Sequence, residues 1–171
     1  MSGTEVVATS LAAVTALLAP ARPAVAERVL LAHRDPEGYV RLYADELEDR
    51  GVDEPVPELL RIALVDALHA HGLLAEFDWK EHPEEIRAQL RLLDSAPSAD
   101  PWALLEDGDT RLHTYDFLEV CGRRYRDVGA ALAVIDLESD CYPVVCLRAA
   151  RTGELIASAA GAGIAVHVLG S

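Results

Sequence analysis

The sequence predicts an α+β fold, in which a helical N-terminal layer of four to five helices packs on a small C-terminal sheet of β-β-α-β order. Three observations carry this. Apolar residues recur at helical spacing through the first two-thirds of the chain, the period drops to two near residue 131, and Gly and Pro punctuate each segment. A length of 171 residues, 51% of them apolar, suits one domain. That domain reads as helical over about 1–129 and sheet-forming over about 130–171. A chain of this size can bury a core without a disulfide or metal staple.

The elements follow in order. Val7, Leu11, Val14 and Leu18 form one stripe of an amphipathic helix that Pro20 ends. A second helix runs from about Pro23 to His33, with Val25, Val29 and Leu30 inward. Asp35 then reads as an N-cap, with Pro36 at the first helical position and Glu37 in the positive first turn. That third helix carries Tyr39, Tyr43 and Leu47 on one side and stops at Gly51. In the fourth, Asp53, Pro55 and Pro57 lead in, Leu60, Leu64, Ala67 and Leu68 form the stripe, and Gly72 ends it. Leu73–Lys80 is a connector, either a short strand or an extended loop.

Pro83, Glu84 and Glu85 open a helix through about Leu93, with Ile86, Leu90 and Leu93 inward. A polar loop over Ser95–Pro101 leads to a short turn with Trp102 and Leu105. Asp109 caps a long helix whose Leu118, Cys121 and Tyr125 share a face, and Gly129 closes it. In Ala131–Glu138, Ala133, Ile135 and Leu137 alternate with Val134, Asp136 and Glu138, the pattern of a half-buried strand with a wet outer face. Ser139-Asp140 turns the chain into Tyr142–Leu147, where Pro143 favours an edge or a strand start. A helix from Thr152 or Gly153 through Ala160 and a strand over Ile164–Leu169 complete the chain. Parallel pairing of the last two strands would call for a right-handed crossover.

Charge narrows the function classes. The formal net charge is −14, and nucleic-acid affinity comes largely from Lys and Arg releasing counterions, so nucleic acid and anionic membrane surfaces are poor partners. Between Asp35 and Glu58 stand nine acidic and two basic residues. They are either solvated helix faces or a surface for a basic protein partner. Cys121, Cys141 and Cys146 make an odd count without a C-x-x-C spacing, unlike a secreted disulfide framework. The apolar run Val6–Ala21 lacks preceding Lys or Arg and is short of the ~20 residues of a membrane span, which favours the cytoplasm. Fourteen Arg against the single Lys80, with abundant Ala, suggest a GC-rich bacterial genome and discount the choice of Arg over Lys at any one position.

Two segments carry a family likeness. Asp78-Trp79-Lys80 followed by Pro83-Glu84-Glu85-Ile86, and the later Asp136-Leu137-Glu138-Ser139-Asp140-Cys141-Tyr142-Pro143, resemble the uncharacterised bacterial domain-of-unknown-function family DUF6630. The likeness covers roughly Phe77 to Leu147, and it implies no reaction, cofactor or partner.

The residues themselves offer several candidate sites. Asp136, Glu138 and Asp140, with Asp78 as a fourth ligand, would suit a divalent cation such as Mg²⁺, Mn²⁺ or Ca²⁺ and metal-assisted hydrolysis or phosphotransfer. The spacing is not that of a calcium loop, since Cys141 and Leu147 stand where Gly and Glu belong. The duller reading makes Asp136 and Glu138 the wet face of a strand and Ser139 and Asp140 turn formers.

Trp79 and Lys80 could adjoin an anionic ligand at the helix start near Pro83, or Phe77 and Trp79 could be wedged into the core. Tyr142 either orders the acidic hairpin, contacts a ligand or packs on the last helix. His69, His71 and His82 form a weak zinc candidate, and helix-end dipole contacts explain them better. Cys121 on an apolar stripe reads as a small core hydrophobe, and Asp140 beside Cys141 disfavours a thiolate. No catalytic constellation is assembled, so a non-enzymatic binding or regulatory protein is the leading expectation. A metal-assisted hydrolase or phosphotransfer enzyme is the alternative. Oligomeric state is not encoded legibly.

Overall fold

The computed structural model describes residues 2–103 and 111–171. Helix α1 (Gly3–Leu18) starts at Ser2, whose hydroxyl accepts from the Glu5 N–H at 3.2 Å. Of its expected stripe, Leu11, Val14 and Leu18 are buried and Val7 is half-buried. Helix α2 (Pro23–Arg34) follows, and Asp35 caps the next segment by accepting from the Gly38 N–H at 3.0 Å.

The single helix expected between Pro36 and Gly51 is two. Helix α3 (Pro36–Leu42) ends at Tyr43, whose φ of −109° and ψ of 28° leave the helical region, and α4 (Ala44–Glu48) continues at an angle. The break lets Tyr39, Val40 and Leu47 all bury against Ala32, Leu59, Ile62 and Ala63. Helix α5 (Leu59–Ala70) is buried on most sides and ends before Gly72, which takes a φ of +70° that glycine adopts freely.

The connector after α5 is a strand, β1 (Leu74–Asp78). Helix α6 (Pro83–Arg91) and helix α7 (Thr114–Arg126) come next, and His113 stands at the N-cap of α7. The cap expected at Asp109, and Leu105, lie outside the described residues. Strand β2 (Ala130–Ile135), strand β3 (Cys141–Arg148), a 3-10 turn over Ala149–Arg151, helix α8 (Thr152–Gly161) and strand β4 (Val166–Val168) complete the order.

The sheet corrects the expected partition in three ways. Among the described residues it has four strands in the order β1-β3-β2-β4, so one strand comes from the part read as helical. Among the described residues every pairing is antiparallel, and β4 joins β2 rather than β3, without a parallel crossover. Strand β3 is therefore central. Pro143 is tolerated there because it sits near the strand start: the β2·β3 ladder stops at Val134↔Val144, one step before it.

The third correction concerns β2, which is buried at all six positions instead of presenting a wet face. Its odd-numbered residues Ala131, Ala133 and Ile135 pack with Leu11, Val14, Leu64, Leu68 and Leu155 from α1, α5 and α8. Its even-numbered residues Ala130, Leu132 and Val134 pack with Ile86, Leu90, Phe117, Leu118 and Trp102 on the other side. Helices thus cover both faces of the sheet. Asp136 and Glu138 lie past the strand's end, not on an outer face.

Candidate functional site

The strand register gathers the sequence candidates at one end of the sheet. Asp78 stands opposite Cys141 and Phe77 opposite Tyr142, and the Trp79 N–H donates to the Asp140 carbonyl at 3.1 Å. The end of β1 and the β2–β3 hairpin are therefore neighbours, although 60 residues of sequence separate Asp78 from Glu138. Asp78, Trp79, Lys80, Asp136, Glu138, Asp140 and Tyr142 all belong to this end.

Their side chains do separate things. The Asp78 carboxylate accepts from the Lys80 N–H at 3.2 Å, and the Asp136 carboxylate from the Glu138 N–H at 2.7 Å. Each aspartate thus closes its own turn, as Asx turns do. The second turn holds Glu138 in the left-handed region, at φ 56°. Glu138 reaches Arg61 at 3.6 Å, and Asp136 stands 3.6 Å from His167. Among the described residues no three His, Cys, Asp or Glu side chains form a group that could hold a metal ion. The four carboxylates are thus neighbours in the fold without converging on one point.

Phe77 is buried as expected, but Trp79 is not in the core. It is 52% exposed, because the turn at Asp78 swings the chain off the sheet before Trp79 can share the inward face of Phe77. The Lys80 ammonium lies 4.4 Å from the centre of its ring, a cation–π contact at the surface. Tyr142 packs on Tyr115 of α7, with ring centres 5.5 Å apart, and not on the last helix.

Beside these lies a half-buried ionic knot that the sequence reading missed. Arg50, just past α4, donates to Asp66 of α5 at 2.7 and 3.0 Å and to Glu76 of β1 at 2.8 Å. Burial alone would lower the Arg50 pKa, but the bonds to Glu76 and Asp66 more than reverse this and hold it above its ordinary value. Cys141 adjoins Glu76, and burial together with that carboxylate raises its thiol pKa, so it is a poor nucleophile. Cys121 is fully buried, and burial pushes Cys146 up to about 12.

A second arginine is used similarly. Arg28 of α2 lies over the Tyr43 ring at 3.9 Å, donates to the Tyr39 hydroxyl at 3.0 Å and pairs with Glu46. Burial raises the Tyr39 phenol to about 12 even though Arg28 pulls the other way.

These contacts weld the acidic stretch to the acidic hairpin. Arg50 ties the end of α4 to β1, Arg61 ties α5 to Glu138, and Leu137 packs against the cluster around Tyr39 and Leu47. Of the nine acids between Asp35 and Glu58, all except Glu58 are exposed. Leu42 stands among them at 68% exposure. His69 is exposed at the end of α5, while the His71 carbonyl accepts from Arg22 and His82 occupies the N-cap of α6.

Comparison with known proteins sets this geometry in a family. Residues 10–169 match the profile of the family described as Domain of unknown function (DUF6630). The chain belongs to this family. The DUF6630 match reaches far beyond the two segments around Phe77–Leu147 and takes in most of α1, the helices through α5 and the last strand. Neither the curated proteins nor the solved structures include a match to the chain. Among the described residues no helix is long and apolar enough to cross a membrane.

Proposed function

We propose that this DUF6630 protein is a non-enzymatic binding module whose acidic end captures a basic protein partner. One observation carries the reading: two basic groups beside the acidic surface, Arg28 and Arg50, are turned inward and neutralised by acids, which leaves the exposed acids in large excess over the exposed Arg41. Arg28 is spent on Tyr39, Tyr43 and Glu46, Arg50 on Asp66 and Glu76. What remains outside is eight exposed carboxylates against the single exposed Arg41 of that stretch, with Leu42 exposed in their midst. A negative field with an apolar contact fits an amphipathic basic segment, since the charge steers encounter and the apolar side chain adds buried area.

The test is titration of the full chain with a Lys-rich amphipathic peptide and with its Gln-substituted analogue, at low and at physiological salt. Saturable binding of the Lys peptide alone, weakened by salt, is expected. Combined Asp45→Asn, Glu48→Gln and Asp49→Asn should abolish it, while Glu84→Gln with Glu85→Gln on α6 should leave it unchanged. Undiminished binding by the first variant would remove the acidic end as the docking surface. A divalent-cation arm separates the rival reading. Thermal stabilisation by Mg²⁺, Mn²⁺ or Ca²⁺ that Asp136→Ala abolishes would favour the metal-assisted enzyme.

A further inference from the structure

The opposite end of the sheet carries three arginines, Arg22, Arg148 and Arg151, against the carboxylates of Asp94 and Glu154. There Arg148 closes β3 opposite Ala130, and a cleft of about 840 Å³ opens beside it. That volume is within the usual ~300–1,000 Å³ of small-molecule sites. Its floor is apolar, formed by the buried Leu73, Ala130, Cys146 and Leu147. One wall is the α1–α2 turn around Pro20 and the other is the Asp94–Ser98 loop. Arg22 staples the two walls: it pairs with Asp94 and donates to the His71 carbonyl at 3.1 Å, while the Asp94 N–H donates to the Gly72 carbonyl at 2.9 Å. The cleft is therefore built by specific contacts.

We propose that this cleft binds an organic phosphate monoester, with Arg148 and Arg151 on the phosphate and the apolar floor under the organic group. The Arg148 side chain is exposed and forms no hydrogen bond or ion pair among the described residues. Arg151 holds Glu154 at 2.9 Å, but both side chains are more than half exposed, and such a pair exchanges readily for a better anion. Compositional bias explains why these residues are Arg and not Lys. It does not explain why, in a chain of net charge −14, three arginines line one cleft, with only Asp94 and Glu154 paired to them among the described residues. Two guanidinium forks suit a tetrahedral dianion, and a monoester carries about −1.5 to −2 near neutral pH. The Ser95 hydroxyl on the same wall is buried without a partner among the described residues.

Isothermal titration of the full chain with phenyl phosphate, and separately with inorganic phosphate, tests this. Saturable binding of phenyl phosphate is expected, tighter than that of inorganic phosphate because the ring covers apolar floor. Arg148→Gln and Arg151→Gln should each weaken it on the order of tenfold or more, the worth of a charge-assisted hydrogen bond. Arg34→Gln, which removes an equal charge outside the cleft, should leave it unchanged. Both cleft arginines are exposed, so their variants should keep the wild-type melting temperature and report binding alone. Absence of saturable binding, or equal weakening by Arg34→Gln, would overturn the proposal. Equal affinity for the two probes would overturn the monoester assignment.

Discussion

Gly122 shows how much a single residue can depend on a contact that sequence does not record. A glycine in the middle of α7 should cost its helix about 1 kcal/mol against alanine. The structure supplies the reason for keeping it: a Cβ there would sit 2.5 Å from the Leu169 carbonyl carbon, which is backbone and cannot swing aside. The C-terminal strap lies across α7 at this point, held by the Gly170 N–H on Glu119 at 2.7 Å and by Arg126 on the Gly170 carbonyl at 2.8 Å. Overpacking costs ~1–3 kcal/mol, which exceeds the helical gain. Gly122→Ala should therefore lower the melting temperature by several degrees, at about 2–4 °C per kcal/mol for a chain of this size. Calorimetry checks this, and a stabilised variant would mean the strap is not seated there. Other residues were legible because their cause is local. Asp35 declared itself a cap by its place before Pro36, and Cys121 a core residue by its helical stripe. Trp79 was not, because its exposure is decided by a turn that Asp78 makes with the Lys80 amide.

At the scale of elements, periodicity located the segments but not what covers them. Ala130–Ile135 is apolar at both parities, which is the mark of a strand buried on both faces. Extending the alternation to Glu138 disguised this and placed two carboxylates on a strand that ends before them. Strand β1 was ambiguous for a related reason: it finds its partner β3 far along the sequence, and pairing over that distance leaves no local trace.

Arg50 belongs to this scale because it joins three elements, α4, α5 and β1. Its removal would leave Asp66 and Glu76 half-buried with their shared counter-charge gone. Breaking a fully buried pair costs ~3–5 kcal/mol, and partial solvent access lowers this to about 2–3 kcal/mol for Arg50→Ala. Denaturant unfolding at neutral pH measures the loss.

For the whole molecule, the antiparallel register sorts charge by sheet end. One end collects Asp78, Asp136, Glu138 and Asp140 next to the exposed acids of α3 and α4, and the other collects Arg22, Arg148 and Arg151, the first and last paired with Asp94 and Glu154. The sequence gives the net charge and the acidic stretch directly, but the opposition of the two ends exists only once the strands pair. This arrangement fixes the sign of the response to salt. Exposed ion pairs such as Arg151–Glu154 are each worth ~0–1 kcal/mol and weaken as salt rises. Against them stands repulsion among eight exposed acids within one stretch of a chain carrying −14, screened over a Debye length of about 8–10 Å. The half-buried contacts of Arg28 and Arg50 respond least. Repulsion should win, so the melting temperature should rise from low to physiological salt. Combined Asp45→Asn, Glu48→Gln and Asp49→Asn should raise it at low salt and reduce its further rise. A melting temperature that falls on adding salt would show that attraction between the two charged ends, rather than repulsion within the acidic one, dominates the folded state.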